Sequence, residues 1–268
     1  MNDVVRHYEQ VSEEGRLFMG YGPLELARTR ELLGRHLPAP PAVVLDVGGA
    51  AGVYSCWLAS LGYEIHLIDP VPKHVEQARE ASARQSAHPV ASLRVGDARH
   101  LPGADSSVDA VLLMGPLYHL TEPQDRTAAL LEARRVLRPG GLLFGGAICR
   151  FASLLDSLDR GFMDDPRFIP ILERDLQNGR HRNATDNPDY FTDAFFHLPD
   201  ELRAEVTQAG FSVLELLAVE GPGWLASDFE RRWADPEWRQ RLLGVIRKIE
   251  REPCLLGLSQ HLLVVAAK

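Results

Sequence analysis

The stretch Val43-Val44-Leu45-Asp46-Val47-Gly48-Gly49-Ala50-Ala51-Gly52 decides how this chain folds. A short β-branched run ends in an acid, and three glycines follow within six residues. A helical pattern then begins at once, from Val53 to Leu61. A strand that feeds a Gly-rich turn and then a helix brings backbone N–H groups and a positive helix end up to a ligand. Glycine allows the sharp bend and the close approach. The pattern is D-x-G-x-x-x-G. The dinucleotide fingerprint G-x-G-x-x-G would need a glycine at 47, and Val47 stands there.

Further strands end in acids. Glu64-Ile65-His66-Leu67-Ile68-Asp69 reads as a second buried strand, its acid 17 residues after Gly52. Leu93-Arg94-Val95-Gly96-Asp97-Ala98 reads as a third. Val108 to Gly115 reads as a buried central strand. A helix over Pro123–Leu137 leads through Arg138-Pro139-Gly140-Gly141 into a strand beginning Leu142-Leu143-Phe144. These five blocks, in this order and spacing, resemble the class I S-adenosylmethionine (SAM)-dependent methyltransferases. Their first motif is usually D/E-x-G-x-G-x-G, and this chain departs from it at Ala50. The resemblance covers roughly residues 40–150 closely and the remainder in outline.

The alternation of strands and helices predicts a parallel α/β sheet with helices on both faces. The resemblance implies a Rossmann-like sheet of seven strands in the order 3-2-1-4-5-7-6, the last strand antiparallel, with an added helical cap. It divides one domain into an N-terminal helical lid (1–37), a SAM-binding core (38–149), a substrate cap (150–197) and a C-terminal part (198–268). The last carries a helical insertion at 222–252. Within the cap the pattern predicts helices over Phe151–Leu158 and Arg167–Gln177, a polar loop from Asn178 to Pro188, and no clear strand.

Such a sheet binds its ligand at the carboxyl ends of its strands. The resemblance implies cofactor contacts from Asp46, Gly48, Gly49 and Gly52 in the turn and from Asp69 and Pro70, where a carboxylate faces both ribose hydroxyls. It also implies contacts from Asp97 and Ala98 at the adenine, and from Met114 after the fourth strand. Asp69 has a second reading as a helix cap and Asp97 as a turn acid. Tyr8 and Arg16 are further candidates, reaching the cofactor's carboxylate from the N-terminal segment. In Met114-Gly115-Pro116-Leu117-Tyr118-His119-Leu120, His119 is the natural candidate base, because imidazole titrates near neutrality. Tyr118 shares that position, to orient the acceptor or to pack on the methionyl part of the cofactor. The Asp/Asn-Pro-Pro-Tyr signature of nucleobase amino methylation is missing. Trp224, Phe229, Trp233 and Trp238 read as docking side chains of the helical insertion, with a pocket lining as the alternative.

Composition narrows the partners. With 45% hydrophobic and 25% charged residues the chain reads as an ordinary globule. The net charge of −8 and the lack of a basic run longer than Arg180-His181-Arg182 weigh against nucleic acid. Cys56, Cys149 and Cys254 are scattered and fit a reducing, cytoplasmic setting. No apolar run has the length of a membrane span. The expected activity is therefore methyl transfer from SAM, leaving S-adenosylhomocysteine, to an O, N, C or S nucleophile of a small molecule. A non-catalytic SAM-binding regulator or assembly partner is the alternative, and either a monomer or a homodimer fits. No metal site is expected.

Overall fold

A computed structural model describes Tyr8, residues 15–185 and residues 187–268. The rest of the expected N-terminal lid, residues 1–7 and 9–14, lies outside the described residues. Helix α1 (Gly22–His36) starts at Pro23, whose fixed φ suits a first turn. Strand β1 (Val43–Val47) then enters the turn. Helix α2 (Val53–Ser60), β2 (Glu64–Asp69), α3 (Pro72–Arg84), β3 (Ser92–Val95) and β4 (Val108–Leu113) follow. The short α4 (Pro116–His119), α5 (Pro123–Val136) and the long β5 (Leu137–Ile148) complete the core half. The Arg138–Gly141 turn lies within β5, at an irregularity in its pairing with β4.

The cap holds α6 (Ala152–Asp159), α7 (Ile169–Asn178), β6 (Arg180–His181) and β7 (Ala194–Phe195). Then come α8 (Pro199–Gln208), β8 (Ser212–Ala218), α9 (Phe229–Trp233), α10 (Pro236–Ile249) and β9 (His261–Ala267). The sheet order is β3-β2-β1-β4-β5-β9-β8, and β9 runs antiparallel to both neighbours. This is the 3-2-1-4-5-7-6 order expected, since β9 and β8 are the seventh and sixth strands of the sheet.

Two apolar layers follow from the strand alternation. On one face Leu45, Val47, Val111 and Leu143 pack against Ala129, Leu130 and Ala133 of α5 and Leu202 and Val206 of α8. On the other, Val44, Ile65, Leu67, Ala110 and Phe144 meet Leu32 and Leu33 of α1, Leu58 of α2, and Val75 and Ala78 of α3. Arg28 of α1 is fully buried beneath the second layer's edge. It donates to the Val219 carbonyl (3.1 Å), to Glu31 (2.7 Å) and to Glu250 (2.5 Å).

One expectation is corrected in the cap. The pattern predicts no clear strand in residues 150–197, yet the two-residue β6 and β7 pair antiparallel, while 182–185 stay irregular as a polar loop would. The physical reason is His181. Its Nδ1 faces the buried Asp175 carboxylate at 2.7 Å and its Nε2 donates to the Tyr190 carbonyl at 2.6 Å, while its ring stacks on Phe196. A side chain flanked by basic residues in sequence therefore turns inward. The tryptophans behave as docking groups. Phe229 packs with Leu24 and Ile246, and Trp233 and Trp238 lie beside them.

Candidate functional site

The turn after β1 is held in a conformation that glycine favours. Gly48 has φ 75° and Gly52 φ 81°. Ala50, in the place of the family glycine, also lies in the left-handed region with φ 46°. That geometry costs an L-residue about 1–2 kcal/mol, and the Ala50 N–H offsets part of it by donating to Asp69 Oδ2 at 2.9 Å. Close packing explains the other glycines. A Cβ on Gly48 would sit 2.8 Å from Pro116, and one on Gly49 would sit 2.8 Å from Asp46 Oδ2 and from Leu67. Gly52 caps α2 and would press on Ala78. It lines none of the three cavities described below, so its part is to let the turn pack on α3.

Asp46 lies under the turn with only 2% exposure and accepts from Ser55 Oγ at 2.7 Å. Burial raises its pKa against the Ser55 bond, and the neighbouring Asp69 adds to the rise, to about 6. Asp69 uses both of its oxygens, though it is not the N-cap of α3, a position Val71 holds. Oδ2 holds the Ala50 amide, while Oδ1 accepts from the Val71 N–H at 2.9 Å and lies 3.1 Å from His74 Nδ1. The carboxylate thus ties the Gly turn to the entrance of α3 at the tip of β2.

Three cavities open around these groups. The first, about 140 Å³, is lined by Gly48, Ala50, Asp69, Pro70, Asp97 and Ala98, and closed by Tyr8, Tyr118 and His119. Asp97 lies just past β3. It is paired with Arg99 (2.6 Å), which also reaches Asp125 (3.1 Å). Burial would raise the Asp97 pKa, but the Arg99 bonds outweigh it and hold the carboxyl below its ordinary value. The second cavity, about 110 Å³, is lined by Asp46, Gly48, Gly49 and Met114, with Arg16, Glu25 and His261 on its far side. The third, about 330 Å³, lies under the cap between Tyr118, Ile148 and the aromatic side chains Phe162, Phe168, Tyr190, Phe191 and Phe196. Arg16, Glu25 and His261 line both the second and the third, and Tyr118 lines all three.

The cavity residues fit an adenosine with an amino-acid tail. Two carboxylates at strand tips face the first cavity, a bare glycine backbone forms the wall it shares with the second, and a guanidinium–carboxylate pair lies at the tail end. Sequence comparison agrees. The methyltransferase domain profile matches residues 45–145. Residues 45–145 thus form a methyltransferase domain of the class I SAM-dependent kind. The cofactor of this methyltransferase domain is SAM. The chain is 30% identical over 196 residues to an arsenite methyltransferase of Halobacterium salinarum, an overlap that covers 72% of this chain and 43% of the relative. It is 29% identical over 141 residues to a ubiquinone biosynthesis O-methyltransferase of Methylocella silvestris, covering 48% and 53%. The chain thus spans about half the length of these relatives or less. A SAM-dependent methyltransferase of Methanosarcina mazei shares the fold, with TM-score 0.59, 20% identity and coverage of 88% of this chain and 96% of that one.

The methyltransferase domain brings together most of the residues expected from sequence. Asp69, Pro70, Asp97 and Ala98 share the first cavity, and Asp46, Gly49, Met114 and Arg16 the second. His119, the candidate base, has a neighbour that the sequence did not suggest. It lines the first cavity, and its Nε2 lies 3.0 Å from the Tyr8 hydroxyl. Arg16 is bound to both oxygens of Glu25, at 2.6 and 2.8 Å. Glu25, Glu220 and His261 were missed in the sequence. They carry no local motif and come from three distant elements. No helix among the described residues is long and apolar enough to cross a membrane.

Proposed function

We propose that this chain transfers the SAM methyl group to a small molecule held in the cavity beneath the cap. The observation that carries this reading is Tyr118, which lines the adenosine-side, methionyl-side and cap-side cavities at once. A group bound across the first two then presents its sulfonium end to the third. When bound, SAM supplies an electrophilic methyl carbon. The chain's own part is positioning and exclusion of water. Asp69 faces the ribose, Asp97 and Ala98 border the adenine, Pro70 packs beside them, and Met114 flanks the methionyl part. Gly48 and Gly49 let the backbone approach, and Asp46 supports the turn from below. Arg16 takes the cofactor carboxylate, sharing its guanidinium with Glu25. Tyr118 orients the acceptor. His119 fixes Tyr8 over the cofactor rather than serving as the base.

The cap (150–197) and the N-terminal segment form the acceptor side of the site. The cap's aromatic walls suit a flat ring, and Asp156, Asp159, Arg160 and Gln260 in the same lining suit polar groups on it. That the matched relative of Methylocella silvestris is an O-methyltransferase of quinone biosynthesis favours such an acceptor. Calorimetry with S-adenosylhomocysteine and NAD tests the cofactor half. Heat with NAD and none with S-adenosylhomocysteine would sink it. Transfer of labelled methyl from SAM into the small-molecule fraction of a cell extract tests the acceptor half. Label confined to protein or RNA is the contrary result.

A further inference from the structure

At the seam between the second and third cavities lies a second polar cluster. His261 opens β9, which pairs antiparallel with β5 so that His261 stands beside Ile148 at the active carboxyl end of the sheet. Its Nδ1 meets Glu220 Oε1 at 2.6 Å. Glu220 is 2% exposed, and its other oxygen accepts from Ser259 Oγ (2.8 Å) and from the His261 backbone N–H (3.1 Å). Ser259 Oγ in turn accepts from the Glu220 and Gly221 amides at 3.1 Å each. The carboxylate is thus fixed by three donors, and it fixes the imidazole as the Nδ1–H tautomer. Nε2, the proton-accepting atom of that tautomer, has no hydrogen-bond partner among the described residues, and the ring lines both cavities.

We propose that His261, oriented by Glu220, is the general base of the reaction, and that the acceptor is a hydroxyl on an aromatic or conjugated ring. The proposal rests on the methyl-transfer reading above. The acceptor oxygen attacks the methyl carbon, the C–O bond forms and the C–S bond breaks with its electron pair going to sulfur. The hydroxyl proton passes to His261 Nε2, and Glu220 balances the resulting imidazolium. The ring follows from the cap-side walls of Phe162, Phe168, Phe191 and Phe196.

The charge environment suits that exchange. Burial alone would lower the His261 pKa, but Glu25 on α1 and Glu220 raise it to about 9, against Arg16. Asp156 of α6, whose own pKa burial raises, also feels the imidazole charge. At a pKa of about 9 the imidazole holds its proton at neutral pH and becomes the free base as pH rises toward 9. An ordinary phenol titrates near 10, so the neutral imidazole and the acceptor match in proton affinity, and the methylation rate should climb with pH up to about 9. Glu25, Glu220 and His261 also place ligand atoms within 4.8 Å of one another, as a metal would require. Arg16 already neutralises Glu25 through both oxygens, which disfavours a divalent cation there.

The test uses the full chain saturated with S-adenosylhomocysteine and 4-nitrophenol, whose phenolate absorbs visible light. Bound to the wild-type complex, its ionisation midpoint should fall by about one pH unit or more, since the His261 imidazolium beside it stabilises the phenolate. His261→Gln should abolish the shift. Glu220→Gln should do the same, because its amide would donate to Nδ1 and force the proton onto Nε2. With SAM, formation of 4-nitroanisole should fall roughly 100-fold or more in His261→Gln, while S-adenosylhomocysteine affinity stays within about twofold. His261→Asn repeats the measurement should the Gln variant not fold. An unshifted midpoint in the wild type, or an unchanged shift and rate in the variants, overturns the proposal, as does loss of methylation on adding a chelator. Failure of the wild type to bind S-adenosylhomocysteine would instead overturn the cofactor reading.

Discussion

Replacing Asp69 by Ala should damage both the cofactor site and the fold. The carboxylate is 4% exposed and serves the Ala50 amide, the Val71 amide and His74 Nδ1. Truncation strands two backbone donors. One, on Val71, is fully buried; the other holds Ala50 in its left-handed conformation. An unsatisfied buried donor costs about 1–3 kcal/mol, and the adjoining cavity lets water relieve part of that, so the loss should be about 2–4 kcal/mol. For a chain of this size it lowers the melting temperature by roughly 5–15 °C. The ribose side loses charge-assisted bonds of about 1.5–3 kcal/mol each, which weakens S-adenosylhomocysteine on the order of 10–100-fold or more. Asp69→Asn should unfold almost as easily, because one terminal atom becomes a donor and meets an amide N–H head-on. Urea denaturation and calorimetry on the three proteins read both effects. An Ala variant melting within about 2 °C of the wild type, with unchanged affinity, would show that the carboxylate holds neither the turn nor the ligand.

Other perturbations follow from the same contacts. Gly49→Ala places a methyl 2.8 Å from Asp46 and Leu67; it should cost about 1–3 kcal/mol and reduce S-adenosylhomocysteine binding, which calorimetry and thermal melting check together. Arg28→Leu leaves the buried Glu250 with Arg35 as its remaining ion-pair partner; a loss of roughly 3 kcal/mol is expected in chemical denaturation, and a neutral result would mean that Arg35 suffices. The folded His261 pKa of about 9 lies above its ordinary 6.5. Its contribution to stability is therefore fully present below pH 6.5 and lost as pH rises through 9, at most about 3 kcal/mol. Melting curves between pH 6 and 10 should show this slope in the wild type, and His261→Gln should flatten it. Hydrogen exchange in residues 150–197 should slow when S-adenosylhomocysteine binds, while the central strands change little; full protection of the cap in the free protein contradicts a closing cap.

The core half of the molecule was legible in the residues because its information is local. β-branched runs such as Val43–Val47 and Val108–Leu113 are buried on both faces of a parallel sheet and so are continuously apolar. The glycines at 48, 49 and 52 mark a turn that few other residues can make. The handedness of strand–helix–strand connections prunes the topologies, the resemblance implies the strand order, and the acids at 46, 69 and 97 fall at the strand tips. What the sequence alone could not decide is which distant side chains meet. His119 reads as a base beside the transfer site, yet packing turns its Nε2 to Tyr8. His181 reads as part of a basic loop, yet Asp175 and the Tyr190 carbonyl hold it inside, where its backbone pairs with Ala194. Glu25, Glu220 and His261 lie on α1, after β8 and on β9, separated by up to 236 residues (261 − 25). They converge only because the antiparallel β9 delivers its first residue to the carboxyl ends of the parallel strands. No periodicity records such a meeting. Burial of the two apolar layers fixes it, and the polar groups at their edge take the partners that the closed sheet leaves within reach.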